Sequence, residues 1–304
     1  LTDTVVKKPR PLSVDGATIF VERGGATVRQ FIFNDSEASF NAGIISILSS
    51  HLIVTPVSMD VKRSSPDNKS DYVYVVNSDG TCAVLNTLRE QQLLAWSLFE
   101  TEGYFEDVAV SGRLVYFIVK RTINGSTVRY IEKLNADCKT DSSLVQTNVT
   151  PTINWSGLSH LEGETVKLRG DDFILDDETV SSGAVVSSSS VSELEVGINF
   201  SVRVKSLPLE LIIQGQSFSG EWKNIIFANV KLYESRNINV IIGDNTNKPP
   251  FRQFGSGVLD QPISLFTGWK KVFGNGINRD VQVEVTQDEP LELNVLSIHY
   301  GVRV

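Results

Sequence analysis

Methionine occurs once in this 304-residue chain, at Met59, and cysteine twice, at Cys82 and Cys138. Two cysteines cannot staple a chain of this length, so a disulfide scaffold is excluded and the fold must rest on its core. Cys82 falls in an expected strand, the ordinary setting of a small buried thiol, and Cys138 in a polar, turn-like run. Reduced, intracellular synthesis is the expectation. Histidine is nearly as scarce: His51, His160 and His299 lie far apart and share no metal-ligand spacing. No Gly-x-Ser-x-Gly elbow, Walker loop, dinucleotide fingerprint or zinc pattern occurs, and no cofactor is expected. Long hydrophobic runs are missing too. The uncharged stretch Ala38 to Val57 carries Ser, Asn, Thr, His and Pro throughout, too polar for a bilayer, so no membrane insertion is expected. The chain opens Leu1-Thr2-Asp3 with no initiator methionine, basic n-region or apolar h-region, and it is expected to be a fragment, a processed product or the ordered part of something longer. Bases are the minority charge, 28 against 36 acids; a formal charge of −8 argues against a protein that coats nucleic acid, although it leaves room for a local basic patch.

What is present is the composition of a soluble globular chain, 41% hydrophobic and 21% charged with mean hydropathy −0.04. At roughly 150 residues per domain the length suggests two domains. A change of rhythm at Asn148-Val149-Thr150-Pro151 places them at 1–150 and 151–304.

One pattern recurs three times in the first half: an apolar strand, a glycine turn, and a return strand opening on small hydroxylated residues or cysteine. The copies run Thr18–Glu22 to Thr27–Phe33 through Gly24-Gly25, Tyr72–Val76 to Thr81–Leu85 through Asp79-Gly80, and Leu114–Val119 to Ser126–Ile131 through Asn124-Gly125. These glycine dipeptides tolerate positive φ at a hairpin tip, and primed turns are expected there. Flanking β-branched and aromatic residues suit a half-buried pleated surface. A spacing near 50 residues with several short strands per repeat is the signature of propeller blades; the plainer reading is three unrelated hairpins in an ordinary β domain. Gln92–Phe99 would close one blade and Phe105–Val110 open the next, with 100–103 as the turn. Apolar positions 44, 45, 48 and 52 fit a helical face, so a short helix is expected near 42–52. Three repeats do not close a ring, so upstream sequence would complete it or the array would stay open.

The second half reads as a β-barrel or β-sandwich region. Gly157–Val186 resembles a small barrel-like unit, and Ser187–Ser190 a low-complexity, mobile connector near 187–192. Strict alternation over Val281–Thr286 marks a sheet with one wet face. The loop Thr246–Gly257 carries Phe251 and Phe254, which become the candidate subunit-interface residues, since exposed aromatics on a long loop suit a subunit contact. The acidic hairpin Asp171-Asp172 with Asp176-Asp177-Glu178 lacks the ligand order of a calcium loop and is expected to be a solvated face. Propeller hydrolases point carboxylates into a central channel, where Glu106, Asp107 and Asp60 are the candidates, but they form no evident pair. An all-β, non-enzymatic chain is therefore expected.

Specific runs resemble a family of bacteriophage tail structural proteins, the tail nozzle or tail tubular protein B family of short-tailed phages. They are Leu88-Arg89-Glu90-Gln91-Gln92 through Ala95-Trp96, then Glu100-Thr101-Glu102-Gly103-x-Phe105-Glu106-Asp107-Val108-Ala109-Val110. The stretches Gly16–Gly25, Arg121–Glu132, Gly157–Val166 and Leu207-Pro208-Leu209-Glu210 are similar to the same family. The resemblance implies a virion component made in the bacterial host cytoplasm: one subunit of an oligomeric ring, six-membered in such nozzles, with propeller-like modules around a DNA conduit. It implies contacts with other tail proteins such as adaptor and fibres, DNA passing without specific binding, and no catalytic residues. The competing expectation is a carbohydrate-binding or carbohydrate-hydrolysing β-propeller acting at the cell surface.

Overall fold

A computed structural model describes residues 8–35, 37–66, 69–210, 212–213, 215–218, 220–252, 255, 261–274 and 277–303. The chain is all-β, 59% strand and 4% helix, and every pairing between the described strands is antiparallel. It divides into two compact units, Leu1–Ala136 and Asp137–Val304.

The first unit is a run of three up-and-down meanders. Sheet I holds β1 (Leu12–Val14), β2 (Ala17–Val21), β3 (Val28–Asn34) and β4 (Ser39–Ile44) in chain order. Sheet II holds β5 (Ser58–Lys62), β6 (Asp71–Val76), β7 (Cys82–Leu88) and β8 (Leu93–Phe99), again in order. Sheet III holds β9 (Tyr104–Ser111), β10 (Leu114–Ile123) and β11 (Ser126–Lys133). The three glycine-tipped hairpins are therefore β2–β3, β6–β7 and β10–β11. Strand β8 closes sheet II and β9 opens sheet III, as the apolar runs suggest.

Alternation decides how the sheets stack. Val73, Val75, Ala83 and Leu85 on one face of sheet II share a core with Val14, Ile19, Val21 and Val28 of sheet I. The residues between them, Tyr74, Val76, Cys82 and Val84, share a second core with Val108, Val115, Phe117 and Val119 of sheet III. Sheet II is thus covered on both faces, which is why Tyr72–Val76 reads as a nearly unbroken apolar run rather than an alternating one. Burial pushes the Cys82 thiol up to about 12, so it behaves as a small hydrophobe.

Two local expectations change. The turns at Gly25 and Gly80 are not primed: each glycine N–H donates to the carbonyl three residues back, Glu22 and Asn77, and only the glycine of the pair is left-handed. Asn124-Gly125 does form a two-residue primed turn, with φ of 47° and 73°. The helix expected near 42–52 is instead the end of β4 followed by a 3₁₀ segment, Ile47–Leu52. Its apolar spacing misleads because Ile44 belongs to the strand while Ile47 and Leu48 are exposed. Asn77 secures the segment by donating to Leu52 O at 2.9 Å and accepting from Val54 N at 3.0 Å.

The second unit begins with sheet IV: β12 (Asp141–Ser156), β13 (Thr165–Gly170), β14 (Phe173–Ile174), β15 (Glu178–Thr179) and β16 (Ala184–Ile198), ordered β12-β16-β13-β14 with β15 also on β13. The chain continues through β17 (Val202–Lys205), a short hairpin of β18 (Ile212–Ile213) and β19 (Gln216–Ser217), then β20 (Asn224–Ser235), β21 (Asn239–Ile242), β22 (Asn245–Asn247), β23 (Phe266–Phe273), β24 (Val283–Gln287) and β25 (Val295–Arg303). Sheet V is β17-β24-β21-β22 and sheet VI is β23-β20-β25; their inner faces meet in one core containing Ile225, Val230, Leu232, Val240, Val283 and Val285. Sheet IV has its own core around Trp155, Leu161, Leu168 and Leu194.

The observed division at Ala136 falls before the expected boundary at 150, which lies inside β12. Pro151 does not end that strand; it sits where the register with β16 shifts, between Thr147 and Thr152, a bulge that needs no proline N–H. The serine run 187–190 is likewise strand, not connector. It lies within β16, where Ser187 is buried and its hydroxyl bonds Ser189 O at 2.8 Å.

Candidate functional site

Within the first unit, the outer faces of sheets I and III carry apolar side chains exposed to solvent. Outward on sheet I, Phe31 and Phe40 stack in parallel at 4.8 Å and Phe33 meets Phe40 edge-on at 5.1 Å. Phe40 remains 57% exposed. Outward on sheet III, Leu114, Tyr116 and Ile118 of β10 lie beside Ile131 of β11, which is 78% exposed and directly opposite Ile118. Apolar residues thus face solvent on both of these sheet faces.

Between the sheets, the first strands of the meanders lie against one another. Asp60 of β5 accepts from Val110 N of β9 at 2.6 Å, Ser58 donates to Asp107, and Arg63 donates to Ser13 O of β1. Two of the three carboxylates singled out as channel acids are thus occupied in joining sheet II to sheet III. The third, Glu106, pairs with Arg129 at 2.6 Å on the surface of sheet III, and that bond holds its carboxyl below the usual range.

In the second unit Phe251 is half-buried. Its ring meets Phe266 edge-on at 5.8 Å, packs on the shared core of sheets V and VI, and takes the Lys270 ammonium at 4.6 Å. Lys270 also donates to Pro250 O at 2.6 Å, and burial lowers its pKa. Phe254 lies outside the described residues.

Three acids of the acidic hairpin are spent internally. Asp171 accepts from the Ser192 and Glu193 amides at 3.0 Å, Asp172 pairs with Arg236 at 3.0 Å, and Asp177 with Lys167 at 3.0 Å. Behind it, buried Glu195 receives Arg169 at 2.8 Å together with the Thr140 amide and hydroxyl at 2.8 and 2.9 Å. Arg169 reaches Glu292 as well, at 3.4 Å. Among the described residues no group of three or more His, Cys, Asp or Glu is placed to hold a metal ion.

A face that the sequence reading missed lies on sheet VI. The inward residues of β20 are Ala228, Val230 and Leu232; Phe227, Asn229, Lys231 and Tyr233 therefore point outward. Opposite them β23 presents Phe273, Lys271 and Trp269, and β25 presents Gly301, His299 and Ser297. The period-two run Trp269-x-Lys271-x-Phe273 was the available signal, but three strands separated by long stretches of sequence must meet before it becomes a surface.

No model of a known protein family matches the chain, and no curated protein matches it.

Proposed function

We propose that this chain is a structural virion protein of a bacteriophage tail, a subunit of an oligomeric nozzle or hub ring through which DNA passes into the host. The observation that carries the reading is the open-ended stack of the first unit. Three meanders fan about their first strands, joined there by Asp60, Ser58–Asp107 and Arg63, with apolar faces left at both ends. Such a stack suits a reading as propeller blades of an incomplete ring, which would need neighbours. The resemblance to tail nozzle proteins in 88–132 supplies the biological setting. The role asks for geometry rather than chemistry: bury protein surface, hold a passage open and let DNA slide.

Electron microscopy of the purified chain and of the intact phage particle tests this. Ring-shaped assemblies, with the chain located at the tail tip, are expected. A chain that stays monomeric at tens of micromolar and is absent from purified particles would remove the proposal.

A further inference from the structure

The outward face of sheet VI combines rings and cations without an opposing charge. Row by row across β23, β20 and β25 it runs Phe273–Phe227–Gly301, then Lys271–Asn229–His299, then Trp269–Lys231–Ser297. Arg303 stands at the end of the same face, opposite Asn224. No outward position of the three strands in these rows is an acid, although residues 137–304 hold 21 acids against 14 bases. Glu234 stands at the rim of the face, outside these rows. Lys231 and Lys271 form no ion pair among the described residues. They lie instead over rings, Lys231 at 5.6 Å from Trp269 and Lys271 at 4.4 Å from Phe227 and 5.1 Å from Phe273. The Asn229 amide makes no hydrogen bond to another described residue, so both its donor and acceptor sides are open.

We propose that this face is a binding site for an anionic polysaccharide. It goes beyond the tail reading and does not depend on it. A sugar polymer presents apolar ring faces, hydroxyls and, when acidic, carboxylates in alternation. The sheet presents the complement: exposed rings at Trp269 and Phe273 (46% and 67% exposed), about 13 Å apart along β23 at the rise of a strand, with an amide, an ammonium and the His299 imidazole, edge-on to Trp269 at 4.8 Å, in the row between. The lysines match carboxylates in a site otherwise open to water, and the polar row matches hydroxyls. Single-stranded nucleic acid fits less well, because base stacking needs neighbouring rings with free faces. Phe227 lies against Gly301 so closely that a Cβ there would sit 2.4 Å from its ring, and its other partner is the Lys271 ammonium.

The test is affinity electrophoresis of the full chain in gels containing polygalacturonate, neutral dextran or dT20. Retardation by polygalacturonate is expected, with dextran and dT20 each at least about tenfold weaker. Trp269→Ala and the double variant Lys231→Gln/Lys271→Gln should each weaken polygalacturonate binding about tenfold. All side chains changed are exposed, and circular dichroism checks that the variants keep their strand content. No retardation by polygalacturonate, equal or tighter retention by dT20, or full binding by the folded lysine variant would each overturn the proposal.

Discussion

Sheets I, II and III of the first unit meet through apolar cores, with neutral or singly charged bridges at their first strands. In the second unit the core of sheet IV and the shared core of sheets V and VI are joined by ions: Lys167 to Glu289 at 3.5 Å, Arg169 to Glu292 at 3.4 Å, Asp172 to Arg236 at 3.0 Å. The contrast has a physical origin. A meander whose middle sheet is apolar on both faces can stack by area alone. Two closed cores have only their rims to offer each other, and rims are polar. Apolar stacking should therefore be indifferent to pH and sensitive to volume, and the ionic joint the reverse.

The largest effect expected is at the joint's centre. Glu195→Ala takes from Arg169 its buried partner, leaving the guanidinium only its longer pairs with Asp172 and Glu292 at 3.2 and 3.4 Å, and uncaps the Lys139 and Thr140 amides; it should cost about 3–5 kcal/mol. Hydrogen exchange read by mass spectrometry should place the loss in residues 137–304. A loss below about 1 kcal/mol would mean the pair is screened and the contrast between the units is false.

Leu85→Ala probes the other cement. Leu85 is fully buried between sheets I and II, and its truncation should cost about 2–5 kcal/mol, confined to the first unit and unchanged between pH 7 and 4. Equal protection from exchange in wild type and variant would show that sheets I and II do not depend on each other.

How much of this was legible depended on whether local sequence decided the outcome. The three hairpins were readable because each turn sits between apolar runs of the right length; the unbroken run Tyr72–Val76 also signalled burial on two faces, but read only as a half-buried surface. Ser187–Ser190 was not, since small hydroxylated residues say linker, whereas in β16 they form the irregularity between Val186 and Val191 where the register with β12 shifts, with the Ser187 hydroxyl donating to Ile153 O. Pro151 misled similarly, a boundary signal absorbed by a bulge. The aromatic and cationic face was hidden for a different cause: its rows exist only after β20, β23 and β25 pair. The ionic joint was hidden likewise, because Asp172 finds Arg236 across 64 residues.

Turn glycines give a smaller effect that separates two geometries. At Gly80 (φ 88°) a Cβ would lie 2.2 Å from the Tyr104 ring, whereas at Gly125 (φ 73°) nothing stands within 4 Å. Gly125→Val should therefore cost only backbone strain, about 1–2 kcal/mol, and Gly80→Val about 1 kcal/mol more. Thermal melts of both variants measure the gap, and equal losses would mean Tyr104 yields without cost.

The smallest effect is the most specific to the ionic joint. The bond from Arg236 holds the Asp172 carboxyl below its usual value, so its contribution is complete above the unfolded pKa near 4 and fades as pH falls through the lower folded one. Asp172 is nearly half exposed, and solvent screening limits that contribution to under about 1 kcal/mol. Asp172→Asn should accordingly lie slightly below wild type in urea midpoint at pH 7, with the difference shrinking as the pH approaches 2. The first unit also carries depressed carboxyls, Glu22 and Glu106, but each bonds its arginine within a single sheet. They should not contribute to any change that Asp172→Asn removes. A difference that persists undiminished at pH 2 would assign the loss to packing of the side chain rather than to its charge, and the second unit would then lose its claim to an ionic joint at that position.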